Sequence, residues 1–263
     1  PVTSAVVNVL KSPLMTEEEM KRAIETDSLW ENLMQMDDIN DYSVFHQVIE
    51  RNSKKAEMEI LFVASKLSDV NAHTSIINKA GLNPVIMDVR CFTLKNALDN
   101  SVFEDNKKQS AILEFGLSDN YLMIIYNNTP IITHIFLRPQ EKQNLVMAKE
   151  SNLSDPEIEN VIRRYVMQVK QALDEHETRY KTKINSISVV SSLKNIKQLL
   201  PIFRKNLPTT GFKLYDPLSS MSVPAYNKEK VNLDNRSTIT SVLGLAYRKL
   251  DVFGYYKFVT AVK

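Results

Sequence analysis

Residues 111–118 have the sequence Ala111-Ile112-Leu113-Glu114-Phe115-Gly116-Leu117-Ser118. It is a mostly apolar run that ends at a glycine and a polar residue, which is typical of a buried strand leading into a hairpin. Two more apolar runs follow it, and Asn127-Asn128 favours a turn between them because asparagine tolerates a positive φ. We therefore predict a meander of three strands, at 111–115, 121–126 and 131–138.

Downstream of this meander, the sequence predicts alternating helices and strands. Asp155 and Pro156 are typical of an N-cap and a first helical position, and apolar residues at helical spacing predict a long helix over 155–181. The remaining predicted elements are a strand at 184–191, a helix at 193–206, a short strand at 212–215 and a last helix from a Ser237 cap to Leu250. This order is typical of an α/β fold.

Upstream of the meander, the elements follow the order β-α-β-β-α-β, which predicts a compact α+β unit. The predicted strands lie at 3–10, 42–50, 57–65 and 85–89, and the third is apolar on both faces, so we expect layers on both sides of it. Thr16 and Glu19 have the spacing of a capping box. The second helix is predicted to begin at a Ser68 cap and to end at Gly81. The residues predicted to lie on its buried face are His73, Ile76, Ile77 and Ala80.

Composition and charge exclude several classes of function. The chain has 33 Lys and Arg against 31 Asp and Glu, so its net charge of +2 is too small for a nucleic-acid-binding coat. Five glycines among 263 residues argue against a dinucleotide fold or a P-loop. Cys91 is the single cysteine, and the four histidines are too far apart for a zinc site. No apolar run reaches the length of a membrane span, and the start at Pro1 indicates a processed or cut fragment.

Five segments resemble the PilM family, the actin-like cytoplasmic proteins of type IV pilus assembly. One of the two more specific segments is Ala80-Gly81-Leu82 with Pro84 and Asp88-Val89, which is similar to the family's AGL-x-P-x-x-x-DV segment. The other is Gly244-Leu245-Ala246 with Arg248, which is similar to its closing helix. The remaining three segments lie at 7–30, 59–66 and 111–118. Together the five follow the family's order along most of the chain.

The resemblance implies an α/β fold of the actin-like ATPase (ribonuclease H-like) class with an inserted β-α-β-β-α-β subdomain. Residues 1–88 would form the inserted subdomain, and 89–106 with 235–263 the remainder of the first actin-like domain. Residues 107–234 would form the second domain, which includes the long helix at 155–181. The N-terminal part of the first domain, with the family's first phosphate-binding hairpin, is expected to be missing.

The resemblance also implies where a nucleotide would bind, and the sequence departs from the family pattern there. The family's Asp-x-Gly hairpin appears as Glu114-Phe115-Gly116, and its Gly-Gly turn on the adenosine side appears as Ser191-Ser192. The longer arm of glutamate displaces a metal-bound water, and each serine Cβ narrows the space for a ligand. The candidate nucleotide-binding residues are Glu114, Gly116, Ser118, Ser191 and Ser192. We expect a degenerate site with no catalytic residue, metal site or cofactor; binding of ATP with magnesium is the alternative.

The function that the resemblance implies is that of a non-catalytic cytoplasmic scaffold, peripheral to the inner membrane, in the type IV pilus assembly platform. Its implied partners are other platform proteins and a PilN-like inner-membrane protein, whose short N-terminal tail would bind as an extended peptide in a groove. The residues predicted to line this groove are Leu14, Met15, Val85, Met87, Val89 and Arg90. Three alternatives stay open: an active actin-like ATPase, a type II secretion scaffold, and a filament former of the cell-division type.

Two other surface features have both a functional and an ordinary interpretation. The apolar residues between Trp30 and Met36 follow no clear periodicity, so either a partner or the core could cover them. The basic residues of the long helix and its exit are interpreted as a solvated face, since acidic residues lie among them. These basic residues are Arg163, Arg164, Lys170, Arg179, Lys181 and Lys183.

Overall fold

A computed structural model describes residues 5–25, 38–99, 110–148, 155–219, 221 and 236–250. Its earlier elements are β1 (Ala5–Pro13), α1 (Glu17–Glu25), β2 (Tyr42–Asn52), β3 (Glu57–Lys66), α2 (Leu67–Lys79) and α3 (Arg90–Asp99). Its later elements are β4 (Ser110–Phe115), β5 (Asn120–Tyr126), β6 (Thr129–His134), α4 (Pro139–Met147), α5 (Pro156–Tyr180), β7 (Ser186–Ser191), α6 (Ile196–Asn206), β8 (Gly211–Leu214) and α7 (Thr240–Leu250). Contacts between Cα atoms divide the chain into two units. The first unit contains residues 1–89 and 127–132, and the second contains residues 90–126 and 133–263.

The first unit contains an antiparallel sheet with the strand order β1-β3-β2 among the described residues. Its central strand β3 is buried on both faces: Ile60 and Phe62 lie on one face, and Leu61 and Val63 on the other. The two-sided apolar pattern therefore predicted this strand correctly. The capping box is also confirmed, because the Glu19 N–H donates to Thr16 Oγ1 at 3.2 Å and the Thr16 N–H donates to Glu19 Oε2 at 2.8 Å.

The strand predicted at 85–89 is wrong. Residues 82–89 have no regular secondary structure, and the Val85 side chain is 78% exposed. Both edges of β3 are already paired, with β1 on one side and β2 on the other, so this segment has no place beside the central strand. The described order of the unit is β-α-β-β-α, and the β-α-β-β-α-β pattern lacks its last strand.

Helix α2 also differs from its prediction. It begins at Leu67 with Lys66 as N-cap, and no side chain caps it, so Ser68 does not have the predicted role. None of its residues is buried, and Ile76 is 66% exposed. The helix does end as predicted, because Gly81 follows with φ +74°, a conformation that glycine adopts without steric cost.

The second sheet has the strand order β6-β5-β4-β7-β8 within the described part of the chain. β4 pairs antiparallel with β5 and parallel with β7, and β7 pairs parallel with β8. The predicted meander is confirmed, but its third strand ends at His134 instead of 138. The backbone N–H and carbonyl of Phe136 form hydrogen bonds with the side chain of Gln168 instead of with a neighbouring strand. Pro139 then begins helix α4, which the sequence analysis did not predict.

Aromatic rings join one face of this sheet to helices α5 and α6. The ring of Phe115 on β4 lies 4.7 Å from that of Tyr165 on α5 and 5.3 Å from that of Phe203 on α6. The start of α5 is as predicted, since the Asp155 side chain accepts a hydrogen bond from the Glu157 N–H at 2.9 Å. The buried face of α5 follows the helical spacing of apolar residues that predicted this helix. Its buried members are Ile158, Val161, Ile162, Tyr165, Val166, Val169, Ala172 and His176.

Helices α3 and α7 pack against each other at a glycine. A Cβ atom built on Gly244 of α7 would lie 1.7 Å from the carbonyl oxygen of Thr93 and 3.1 Å from the backbone nitrogen of Ala97, both on α3. The two helix backbones therefore meet with no space for a side chain. Ser237 does not cap α7, which begins at Thr240; it lies in a 3₁₀ turn over Arg236–Ile239.

Candidate functional site

The predicted nucleotide-binding residues lie at the edge of the second sheet where the parallel strands β4 and β7 end. Phe115 of β4 is the register partner of Ser191 of β7, so the loops that begin at Gly116 and Ser192 are neighbours. Carboxyl ends of parallel strands are the usual place for ligand sites in α/β folds. The structure thus brings the two predicted halves of the site together, as the resemblance implied.

The backbone amides that could cradle a phosphate have partners within the chain. The Gly116 N–H donates to Oδ1 of Asn120 at 3.2 Å, and the Asn120 amide donates back to the Gly116 carbonyl at 2.7 Å. The Leu117 N–H donates to Ser192 Oγ at 3.4 Å. Asn120 therefore closes the β4–β5 hairpin, and Ser192 links it to the neighbouring loop.

Space at the hairpin is limited by the Ser192 side chain and the Asp119 backbone. A Cβ built on Gly116 would lie 3.0 Å from Ser192 Oγ and 3.3 Å from the Asp119 carbonyl oxygen. A side chain at 116 would therefore fit tightly against both neighbours. Ser118, in contrast, is exposed at the tip of the hairpin.

Ser191 is held by the 3₁₀ turn that precedes α7. The Ser237 hydroxyl donates to the Ser191 carbonyl at 3.1 Å and accepts from the Ser191 N–H at 3.2 Å, and both residues are 1% exposed. The Ser191 hydroxyl accepts from the Leu193 N–H at 3.1 Å. These contacts give Ser191 a structural role in joining two segments of the second unit.

Glu114 is buried beneath the hairpin and paired with Arg90. Arg90 Nε donates to Glu114 Oε1 at 2.5 Å, and Arg90 Nη1 donates to Ser241 Oγ at 3.0 Å. Burial raises the pKa of Glu114, and the Arg90 guanidinium opposes this rise only in part. Because one carboxylate oxygen already accepts from Arg90, the group is less available to hold a metal-bound water.

The second oxygen of Glu114 faces a buried tyrosine. Glu114 and Tyr121 are register partners on β4 and β5, and burial, followed by the Glu114 charge, raises the pKa of Tyr121 well above its usual value. Glu114 Oε2 and the Tyr121 hydroxyl are both buried without a hydrogen bond of normal geometry to any described residue. The described residues contain no group of three or more His, Cys, Asp or Glu that could hold a metal ion.

The residues predicted to line a partner groove are distributed over both units. Leu14 and Met15 follow β1, and Val85, Met87 and Val89 lie in the irregular segment before α3. Leu14, Val85 and Met87 are 38%, 78% and 45% exposed. Arg90 belongs to the second unit, and its guanidinium is engaged by Glu114 and Ser241. The groove itself stays a prediction, and the 30–36 surface lies outside the described residues.

A family model described as type IV pilus assembly protein PilM matches residues 3–145, more than half of the chain. The chain belongs to this PilM family. A chain of a solved "PilM-PilN type IV pilus biogenesis complex" is similar in fold, with a TM-score of 0.70 at 15% sequence identity; the match covers 93% of this chain and 76% of that chain. The search of curated proteins found no significant match to this chain.

These comparisons confirm the resemblance to the PilM family and the α/β, actin-like fold class. The division into an inserted subdomain at 1–88 and two actin-like domains stays a prediction. In the described part of the chain, no helix is both long and apolar enough to cross a membrane. At 15% identity, the solved neighbour supports the fold of this PilM family member and nothing further.

Three contributors to this site were missed by the sequence analysis: Asn120, Ser237 and the ion-pairing role of Arg90. An asparagine placed four residues after a hairpin glycine is a signal that could have predicted Asn120, since asparagine side chains often bond to nearby backbone in turns. No local signal points to Ser237 or Arg90, because their partners lie 46 and 24 residues away in the sequence.

Proposed function

We propose that this chain is a non-catalytic scaffold of the type IV pilus inner-membrane platform with a degenerate nucleotide site. The observation that carries the proposal is the occupation of the candidate phosphate cradle by the protein's own groups. Asn120 and Ser192 accept from the amides of Gly116 and Leu117, and Arg90 neutralises Glu114. A phosphate would have to displace these bonds, and backbone donors of this kind are what actin-like and P-loop sites offer to phosphates.

Calorimetric titration with Mg-ATP tests this part of the proposal. We expect no measurable heat of binding and no phosphate release, with the unfolding temperature unchanged by Mg-ATP because a ligand that does not bind the native state cannot stabilise it. The alternative, an active actin-like ATPase with Glu114, Gly116 and Ser118 on the phosphates and Ser191 and Ser192 near adenine, predicts saturable binding and turnover. Either result from a full-length chain would contradict the degenerate site.

The proposed partner is the short cytoplasmic tail of a PilN-like inner-membrane protein. Membership in the PilM family and likeness to a chain from a PilM–PilN complex support this choice. The segment 82–89 offers three exposed apolar side chains: Leu82 is 64% exposed, Val85 78% and Met87 45%. Exposed apolar side chains in a segment without regular secondary structure suit the binding of an extended peptide.

A peptide-binding assay tests the partner. A fluorescent peptide with the sequence of the partner's N-terminal tail is titrated with wild-type chain, with Met87→Asp and with Met147→Asp. Met147 is a matched control, because it is 75% exposed on α4, outside the predicted groove. We expect about tenfold or greater loss of affinity for Met87→Asp and no change for Met147→Asp. Equal affinities of the three proteins would contradict the groove.

This function places the chain on the cytoplasmic side of the inner membrane, held there by its membrane partner and in contact with other platform proteins. Fractionation of cells with and without the PilN-like protein tests this location. We expect the chain in the membrane fraction only when that protein is present. A type II secretion scaffold is the alternative within the same fold, and co-purification with secretion proteins instead of pilus proteins would favour it.

A further inference from the structure

The exposed side of the long helix α5 has an apolar centre that nothing in the second unit covers among the described residues. Met167 is 54% exposed on α5, and Phe136, in the extended segment after β6, is 69% exposed. Two shallow depressions along the helix share Met167 and Gln168, and Phe136 lines one of them. Large exposed apolar side chains that lie together often mark interaction sites.

Phe136 is held in place by backbone contacts. Gln168 Oε1 accepts from the Phe136 N–H at 2.9 Å, and Gln168 Nε2 donates to the Phe136 carbonyl at 3.1 Å. Because both backbone groups are engaged, the aromatic ring is presented outward from a fixed position. Such pre-organised aromatic side chains lose little entropy on binding and are typical anchors of interfaces.

Two groups of opposite charge lie on this side of α5, with Lys170 between them and Arg179 beside the acidic group. Arg163 and Arg164 are exposed on the N-terminal side of Met167, and Asp174 and Glu175 are exposed on its C-terminal side. Each basic residue is separated from an acidic one by eleven positions, which is three helical turns, so both groups lie on nearly the same face about 16 Å apart. Met167 lies between them.

We infer that this face of α5, with Phe136, binds the same face of a second copy of the chain. In a two-fold contact the helices run antiparallel, so the basic pair of each copy lies opposite the acidic pair of the other. Phe136 and Met167 of both copies then lie near the axis, where apolar contact is best shielded from water. A partner of uniform charge would be repelled by one of the two groups, whereas a second copy complements both.

The one basic residue near the axis on this stretch of α5, Lys170, is compatible with the contact. It is exposed, and a lysine stem can lie along apolar surface while its ammonium group reaches water. Arg164 is paired with the charged Glu141, whereas Arg163 donates to the neutral side chain of Asn160 at 2.9 Å. Arg163 is therefore the basic residue best placed to pair with Asp174 of the second copy. Alignment of the two helices in parallel would place like charges together, which disfavours it.

Sedimentation velocity of the 263-residue chain, from low to high micromolar concentration, tests the inference. We expect a concentration-dependent dimer for the wild type, and mostly monomer for Arg163→Glu and for Asp174→Lys, each with a dimer weakened about tenfold or more. An equimolar mixture of the two variants is expected to restore the dimer, since both ends of the mixed contact again pair opposite charges. Circular dichroism confirms that each variant is folded.

Two further variants make the outcome specific. Phe136→Ser is expected to weaken the dimer, and Glu177→Lys, an exposed charge reversal on the flank of the same helix, is expected to leave it unchanged. A wild type that stays monomeric at every concentration would overturn the inference and assign the face to a different partner. A dimer that survives both charge reversals, or a mixture of variants that stays monomeric, would overturn it as well.

Discussion

Arg90 Nε lies 2.5 Å from Oε1 of Glu114, and this ion pair connects the first residue of α3 with the central strand β4. The Glu114 side chain is only 5% exposed, whereas that of Arg90 is 29% exposed. The same guanidinium reaches Ser241 of α7 through Nη1. One side chain thus connects a strand and two helices at the carboxyl edge of the second sheet.

Removal of Arg90 is expected to destabilise the chain strongly. Arg90→Met leaves the buried Glu114 carboxylate without its counter-ion, which typically costs about 3 kcal/mol in the free energy of unfolding. The double variant Arg90→Met with Glu114→Gln is expected to recover part of this loss, because a neutral amide needs no counter-ion. Urea denaturation measures all three proteins. A double variant less stable than Arg90→Met alone would contradict the assigned role.

The pH dependence of stability is expected to carry the signature of Glu114. Its pKa is raised above the ordinary value of 4.5, mainly by burial, so the folded state binds a proton more readily than the unfolded state. The stability from this group is therefore present below pH 4.5 and decreases as the pH rises through the raised pKa. Urea denaturation at pH 4.5 and above should show that the free energy of unfolding of the wild type decreases relative to that of Glu114→Gln as the pH increases. The same pH dependence in both proteins would contradict this prediction.

Gly244→Ala is expected to disrupt the packing of α3 against α7. The added Cβ would lie 1.7 Å from the Thr93 carbonyl oxygen, and since backbone cannot move aside easily, we expect a loss of about 3 kcal/mol or more. Gly211→Ala is the matched control, because its Cβ would have 3.6 Å to the nearest atom. Thermal unfolding of both variants measures the difference. Equal unfolding temperatures would show that the helices do not meet at Gly244.

Asn120→Ala is expected to destabilise the hairpin that carries the candidate site. The substitution removes the acceptor for the Gly116 N–H and the donor to its carbonyl, both of which are buried. Two unsatisfied buried backbone groups cost about 2 kcal/mol or more. Hydrogen exchange of the Gly116 amide provides a local readout: it should speed up in Asn120→Ala. Unchanged protection would mean that another group accepts from this amide.

His176 is expected to make the stability depend on mildly acidic pH. Burial and then the nearby charge of Arg179 lower its pKa below the ordinary value of 6.5, and Nε2 lies 2.9 Å from Thr182 Oγ1. Below pH 6.5 the unfolded state takes up a proton that the folded state does not, so stability falls as the pH decreases. His176→Gln should flatten this dependence below pH 6.5. An equally steep curve in the variant would contradict it.

The elements with strong local signals were predicted well. The Asp155 cap, the Thr16–Glu19 box and the Gly81 stop are each encoded by residues within a few positions of one another, and all three have the expected geometry. The periodic apolar face of α5 likewise identified its buried side. The predicted caps at Ser68 and Ser237 were wrong even though their signal is local. The error at 85–89 depends on distant residues: the segment is strand-like in composition, but β1 and β2 occupy both edges of β3.

The structure brings the candidate site residues together, but the sequence analysis did not predict their hydrogen-bond partners. Glu114, Gly116, Ser191 and Ser192 do meet at one sheet edge, since β4 and β7 are parallel neighbours. Whether their polar groups are free for a ligand depends on Arg90, Asn120 and Ser237, and two of these approach from elsewhere in the chain. Spacing along the sequence cannot report such distant partners.

Local signals in the sequence identified the family, the fold class and several helix ends, such as the Asp155 cap and the Gly81 stop, because apolar periodicity and capping act between residues that are close along the chain. Only the tertiary structure decided how the polar groups at the carboxyl edge are satisfied and which apolar side chains remain exposed. Hydrogen bonds and burial depend on the three-dimensional approach of distant segments. The bond between Ser237 and Ser191, made across 46 residues, exists only once the second sheet and its covering helices have formed.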